Sequence, residues 1–503
     1  MRAGGNAIDA IIAALWAASV AEPVLSSPGG GGFILVRTAE GETRVHDFFV
    51  HTPRRKRMSG LDFYPIVADF GVATQTFHIG LGSAAVPGFV RGLFSAHREH
   101  GSVPMRRLVE PAAAAAREGL LLRDYEEYLL SVVGPIYKIT PEACALFAKP
   151  GPGEGGEAVL KGAGDRIANP ELADTLELLA REGDALFYEG EIAAAIARMC
   201  EEGGGHLTRE DLASYQAIIR APLKHRYRGA LLEVNPPPAL GGLLIAHTLE
   251  LLSRLHPGER DLGALGFGSP AHALLLARAQ QETNRARVAA EASVGVGATP
   301  PMLEDIWLER FAKSLVDTKL SQRGTTHISV IDRHGNAASA TVSNGEGCGH
   351  MIPGTGIMLN NMLGEEDLNP HGLGAWPNNR RMSSMMAPAA LHLPSGELAI
   401  VGSGGSNRIR TAILQVLINM VDFGMDARAA VEAPRIHQEG KHLDFEALVS
   451  RETAAALAGA FPDYRAWPKR NMFFGGVHTV VRTQGGELFG AGDPRRAGVC
   501  VVA

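Results

Sequence analysis

The sequence predicts a mixed sheet sandwich, α+β or α/β, rather than a doubly wound sheet, and three observations predict it. Strand-like and helix-like stretches alternate with no regular βαβ repeat. Helical patterns dominate up to about residue 318, whereas alternating strands with short turns dominate from Thr325 onward. At 503 residues, 46% of them apolar and 20% charged, the chain buries a large core without staples, as one sheet-based unit or two to four domains.

Taken in order, Asn6 to about Ala21 carries small and apolar residues on all faces, which predicts a buried helix. SSPGGGGFILVRT reads as a glycine-rich turn and a strand, with EGETRVHDFF as its hairpin partner. A helix is predicted from VPGFV to HREHG, and further helices in PAAAAAREG and TLELLAREG, each closed by a glycine. FYEGEIAAAIARMCEEGG and LTREDLASY give two more, Thr208 opening the second, and PPPALGG leads into the helix LLIAHTLELLSRL. KLSQRG reads as an exposed linker, followed by the strands TTHISVID and AASATVS about the turn RHGN. The strand ELAIVGSGGSNR, the helix TAILQVLINMVDFG and the hairpin GGVHTVVRTQGGELFGAG follow later.

A net charge of −6 is too mild to imply nucleic acid or an anionic membrane as partner. No stretch approaches the roughly 18 apolar residues of a membrane span. Cys144, Cys200, Cys348 and Cys500 are far apart and show no CxxC spacing, so neither a metal nor a redox cofactor is expected. The chain opens at Met1 on an alanine-rich helix with no basic segment before it. That slightly favours a cytoplasmic location, with a periplasmic one open if residues precede Met1.

The chemistry concentrates where the polar linker meets the first strand of the hairpin, at Gly324-Thr325. With His334 and Gly335 as the two turn residues, Thr325 falls opposite Asn344 and beside Ser343. A threonine hydroxyl is a poor nucleophile until a base takes its proton. If Thr325 becomes the first residue of a chain, its own α-amine, titrating at about 7.7–8.0, serves as that base. The chain must first be cut, and Gly324, lacking a Cβ, permits the strained geometry of attack on its own carbonyl. GSGGS, between a strand and a helix, offers backbone N–H groups for an oxyanion. Each feature alone has an ordinary explanation: threonine suits strands, and paired glycines suit tight turns. His327, His437 and His478 read as packing residues, and Asp9 and Glu22 as caps or partners within the helical layer.

GGNAIDA, EPVLSSPGGGGF, VPGFVRG, LTREDLASY, PPPALGG, GTTHISVID, GTGIMLNNM, RMSSMMAP, GSGGSNRIRTAILQ, EAPRIH and GDPRRAG, in that order, resemble segments of the γ-glutamyltranspeptidase (glutathione hydrolase) family. The resemblance runs through nearly the whole chain. It implies an N-terminal-nucleophile hydrolase fold, an αββα sandwich formed by two fragments of a self-cleaved precursor, residues 1–324 and 325–503. It implies cleavage between Gly324 and Thr325, with Thr325 as nucleophile and Ser343 and Asn344 as its hydroxyl and amide neighbours. Gly404 and Gly405 match the oxyanion glycines, with Ser406 one residue further. Ser383 and Ser384 match the serine pair that holds the substrate's α-carboxylate.

Two departures bear on the substrate. Met362 follows Asn360-Asn361 where the family has Gln or Glu for the α-amino group, so the acidic cluster Glu365, Glu366 and Asp367 is expected to serve, Glu366 and Asp367 foremost. The family's carboxylate-binding arginine position falls on Met58, which makes Arg57 the nearest substitute and Arg54 the second. The expected activity is transfer of a γ-glutamyl group from glutathione or a related amide to water or an amino acid. The alternative is a cephalosporin-acylase-like or other amide hydrolase using the same threonine. Two remoter readings are an uncleaved, inactive homologue and a nucleotide-binding protein using SSPGGGG. The second fits poorly, because this turn follows a helix and precedes a strand, the reverse of a phosphate loop.

Overall fold

Asn6 starts the first helix, α1 (Ala7–Ala21), with a reciprocal cap: its side chain accepts from the Ile8 and Asp9 N–H groups, and the Asp9 carboxylate accepts from the Asn6 N–H. Ile8, Ile11, Ile12, Leu15 and Trp16 of α1 are all buried, as the all-round apolar pattern requires. The computed structural model describes residues 1–69, 74–152, 156–255, 262–293, 301–304, 324–369 and 372–502. Of the predicted linker KLSQRG, only Gly324 lies within the described residues.

Eleven strands make the two principal sheets. In chain order they are β1 (Gly31–Arg37), β2 (Thr43–Phe48), β3 (Ile218–Arg220), β4 (Leu223–Tyr227), β5 (Ala230–Val234) and β6 (Thr326–Ile331). β7 (Ala337–Ser343), β8 (Ala389–His392), β9 (Leu398–Gly404), β10 (Gly476–Arg482) and β11 (Leu488–Ala491) follow. The first sheet has the order β6-β7-β1-β2-β3 and the second β4-β5-β8-β9-β10-β11, every pairing antiparallel. The sheets pack face to face through β6 and β7 against β9 and β10. The Ser339 hydroxyl bridges them, donating to Val401 O at 3.0 Å and accepting from the Ala389 N–H at 3.2 Å.

Helices close both outer faces. With α1, α2 (Phe89–His100), α3 (Met105–Glu118) and α4 (Pro170–Glu182) form the layer on the first sheet, where Ile34, Val36, Phe48, Ala340 and Val342 meet Phe89, Leu93 and Trp16. On the second sheet lie α5 (Gly241–Leu255), α6 (Pro270–Ser293) and α7 (Arg408–Val421), burying Leu232, Ile400 and Val401 with Ile245, Ile413 and Leu417. Helix, sheet, sheet, helix is the predicted αββα sandwich. Gly119 and Gly183 end α3 and α4 with positive φ, and Thr208 caps the five-residue helix Arg209–Ala213, both as the sequence implies.

The β6–β7 hairpin corrects one expectation. Thr326 faces Val342 and Ile331 faces Ala337, so the loop has three residues, Arg333, His334 and Gly335, and not two. Gly335 takes φ +93° to close it, and the Asp332 carboxylate collects the N–H groups of His334, Asn336 and Ala7. The extra loop residue shifts the register by one. Thr325 therefore continues the row of Ser343, not that of Asn344.

Candidate active site

Thr325 immediately precedes β6 at the end of the first sheet, 5% exposed. Period-2 alternation decides which way the strand faces. Thr326 shares a row with Val342, Gly32 and Phe48 and points to the helical layer, where its hydroxyl donates to Glu22 Oε2 at 2.5 Å. Thr325 consequently points between the sheets. Its Oγ1 donates to the Gly324 carbonyl oxygen at 2.6 Å, and Ser343 Oγ donates to that same oxygen at 3.0 Å. The Gly345 N–H donates to Ser343 Oγ at 2.9 Å, fixing the serine, and the Gly324 N–H donates to Glu346 Oε1 at 3.2 Å. Two hydroxyls thus converge on one peptide oxygen, the arrangement that polarises a carbonyl toward attack.

The second sheet supplies the opposite wall. Gly404 ends β9 directly against Thr325: a Cβ built there lies 2.2 Å from the Thr325 carbonyl oxygen, so only glycine fits. Gly405 (φ +128°) and Ser406 (φ +55°) then turn the chain into α7. Ser406 Oγ donates to Asp367 Oδ2 at 2.8 Å.

A cavity opens beside the Thr325–Gly324 peptide. Its polar lining is Ser343, Glu365, Asp367, Ser384, Ser406 and Asn407. Its apolar lining comes from Phe49, Met362, Leu368, Met385, Met386 and Ile409. Among the described residues, no lysine or arginine lines it. Ser384 is fixed by the Met386 N–H on its hydroxyl at 3.1 Å, while its carbonyl accepts from Leu240 N and Gly241 N at the start of α5. Asn360 is a bracket: its side chain exchanges hydrogen bonds with Gly29 O, Ala85 O and the Ala85 and Met362 N–H groups. Asn361 accepts from the Glu346 N–H at 3.0 Å. The asparagine pair therefore shapes the loop that presents Met362 and Glu365.

Of the residues singled out from sequence, the structure brings together Gly324, Thr325, Ser343, Asp367, Ser384, Gly404 and Gly405. Arg57 is placed elsewhere. Its guanidinium donates to the carbonyls of Ser59, Cys200 and Glu201, neutralising the end of helix Glu191–Gly203. Arg54 pairs with Glu210 at 3.1 Å, and Met58 is 90% exposed. Glu366 is exposed, whereas its neighbour Glu365 is buried and lines the cavity. Ser383 and the buried Asn344, which lies against Gly347, are not in the lining. Phe49, Glu346, Met385 and Met386 escaped sequence reasoning, since nothing local marks them as neighbours of Thr325.

The three histidines noted in the sequence are packed inside the fold. His327 faces the second sheet between Thr341 Oγ1 (2.8 Å) and Ser329 Oγ (2.9 Å), and burial holds its pKa well below the ordinary value. His437 is buried against Thr411, and His478 Nδ1 accepts the Asp493 N–H at 3.2 Å.

A buried threonine at a strand start, facing a serine row-mate and a glycine turn between two sheets flanked by helices, defines the class of N-terminal-nucleophile hydrolases. The gamma-glutamyltranspeptidase family model matches residues 1–503, and the chain belongs to that family of enzymes. It is 31% identical to the glutathione hydrolase proenzyme of Escherichia coli (strain K12), over 98% of this chain and 87% of that one. It is also 31% identical to the acylase ACY 1 proenzyme of Pseudomonas sp. (strain V22), over 99% and 90%. The structure superposes on cephalosporin acylase from Bacillus halodurans with a TM-score of 0.77 at 23% identity, covering 99% of this chain and 91% of that one, which bears on fold alone. Helicobacter pylori gamma-glutamyltranspeptidase gives 0.52 at 26% identity over 62% of this chain and 85% of that one.

Proposed function

We propose that Thr325 cuts its own chain after Gly324, giving fragments 1–324 and 325–503 that stay together as a heterodimer, and then transfers a γ-glutamyl group to water or an amino acid. The convergence of Thr325 Oγ1 and Ser343 Oγ on the Gly324 oxygen carries this reading. In the first step Thr325 Oγ bonds to the Gly324 carbonyl carbon, the Gly324–Thr325 C–N bond breaks, and the departing amine gains the hydroxyl's proton. Water then hydrolyses the resulting ester, leaving a Gly324 carboxylate and a Thr325 α-amine. That amine is the base for every later turnover, in which the threonine carries the acyl group as an ester.

For the substrate, Glu365 and Asp367 offer negative charge to an α-ammonium group, and the Ser384 hydroxyl offers a hydrogen bond to an α-carboxylate. The N–H groups of Gly404, Gly405 and Ser406 are the donors for the oxyanion. A second reading, an acylase for less polar acyl groups, is favoured by one observation. The lining combines Met362, Met385, Met386 and Phe49 with no cation among the described residues. Methionine-rich walls adapt to varied apolar shapes.

N-terminal sequencing and intact mass of the purified protein, followed by assay with γ-glutamyl and glutaryl anilides, test both. Two fragments, the smaller beginning Thr-Thr-His-Ile, with faster release from the γ-glutamyl anilide, are expected. Cleavage with faster release from the glutaryl compound selects the acylase. A single uncut chain overturns the nucleophile assignment.

A further inference from the structure

On the outer face of the first sheet, His46 of β2 and Glu99 and His100 at the end of α2 converge. His46 Nε2 lies 3.5 Å from Glu99 Oε2, and His100 Nε2 lies 3.8 Å from that same oxygen. One ligand atom from each of the three residues lies within 4.8 Å of the others. His46 is 0% exposed, and neither its Nε2 nor that of His100 has a hydrogen-bond partner, although both atoms are buried. An unpartnered buried imidazole nitrogen is costly, and two aimed at one carboxylate call for a common partner.

We propose that His46 Nε2, His100 Nε2 and a Glu99 oxygen bind a divalent transition ion of the zinc class, a site separate from the acyl-transfer centre. Zn²⁺ takes nitrogen and carboxylate oxygen at about 2.0–2.2 Å, so tetrahedral ligands stand about 3.3 Å apart. The nitrogen–oxygen separations of 3.5 and 3.8 Å lie close to that value, and the two imidazoles, whose ligand atoms lie within 4.8 Å, draw together around an ion. Ser95 Oγ approaches His46 Nδ1 at 3.4 Å, placing a hydroxyl behind the ring where a metal-bound histidine has its outer partner. Glu99 is partly exposed, which leaves a route for the ion from solvent.

The site is structural rather than catalytic. His46 shares a row with Ile34, Ala340 and Ile328, three strands across and three residues along from Thr325, roughly 17 Å away by standard sheet spacings. It also faces the helical layer, whereas Thr325 faces the second sheet. An ion there would tie the end of α2 to β2.

Titration of tag-free, chelator-stripped protein with Zn²⁺, and with Co²⁺ for its visible spectrum, tests the assignment. One equivalent is expected to bind and to raise Tm, with affinity at least tenfold weaker in both His100→Gln and Glu99→Gln. Both variants should keep unaltered Thr325-dependent turnover, which shows that they fold. A Cys500→Ser control removes the exposed thiol and should bind as the parent does. Absence of binding to the parent, equal affinity in His100→Gln, or loss in Cys500→Ser instead overturns the proposal.

Discussion

Ser343 Oγ lies 3.0 Å from the carbonyl oxygen of Gly324, the oxygen that Thr325 Oγ1 also meets. The contact exists because the β6–β7 loop has three residues, which puts Ser343 level with Thr325. The serine is itself held by the Gly345 N–H. Gly345 adopts φ +65°, and a Cβ there would lie 2.0 Å from Asn361 Oδ1, so the turn that aims Ser343 requires glycine.

Ser343→Ala should slow self-cleavage by about 10²–10³-fold, the usual cost of deleting one hydrogen-bond donor to a developing oxyanion. Precursor decay on a denaturing gel measures it. Thr325→Ala should give one full-length band and no turnover, whereas unslowed cleavage in Ser343→Ala would remove the serine from the mechanism.

Gly404→Ala should impair both cleavage and turnover, because its methyl group would meet the Thr325 carbonyl oxygen at 2.2 Å and push the nucleophile out of place. Overpacking of this kind costs about 1–3 kcal/mol, so Tm should fall as well. Gly459→Ala is the matched control. It lies in helix Arg451–Ala460 with nothing within 4 Å of its added Cβ, and should raise stability by up to ~1 kcal/mol without touching activity.

The fold was legible where local chemistry is unambiguous. Asn6 and Thr208 announce helix starts, Gly119 and Gly183 announce ends, and the all-apolar α1 announces burial. Thr325 was legible through its position at a strand start after Gly324. The hairpin register was not, because RHGN accommodates a two- or a three-residue loop, and Asp332 settles the matter only by also capping the chain at Ala7, far away in sequence. Arg57 was misplaced because counting from Pro53 ignores the helix carbonyls that its guanidinium satisfies. The cavity walls are contributed by segments near residues 49, 365, 385 and 406, whose meeting is tertiary and leaves no mark in any one segment.

Acid should destabilise the protein before it titrates ordinary carboxylates. Burial pushes the His478 pKa down to about 4, Arg496 and Arg435 acting in the same direction and Asp493 opposing them. Unfolding restores a value near 6.5, so between these limits the unfolded chain binds more protons. Stability contributed by the neutral ring is therefore complete above about 6.5 and is lost as the pH falls toward 4. His206, pushed down to about 4 chiefly by burial, acts in the same sense. Tm measured from pH 8 to 4 should fall across that window, and His478→Gln should flatten the decline relative to the parent.

Activity should follow a different group. With the Thr325 α-amine as base, kcat/KM should rise with pH through about 7.7–8.0 as the ammonium loses its proton. His327 is the one imidazole on β6, yet it is neutral far below that range and bonded to Thr341 and Ser329. His327→Gln should leave the midpoint unchanged even if it lowers the rate, whereas a displaced midpoint would transfer the base to the imidazole.

Substitution of Glu365 separates the two proposed acyl groups. It is 3% exposed, lines the cavity beside Met362 and stands one residue before the exposed Glu366. If the enzyme takes γ-glutamyl amides, the Glu365 carboxylate faces the substrate ammonium. Losing a charged hydrogen bond costs about 1.5–3 kcal/mol, so Glu365→Gln should raise KM by roughly 10- to 150-fold. The same variant should treat a glutaryl amide, which lacks the ammonium, almost as the parent does. Ser384→Ala should leave self-cleavage intact and raise KM for both compounds, because each presents a carboxylate to that hydroxyl. Equal KM changes for the two amides in Glu365→Gln would mean that the carboxylate supports the Gly345 turn and does not read the substrate, since Glu365 Oε1 would stand only 2.3 Å from a Cβ at Gly345.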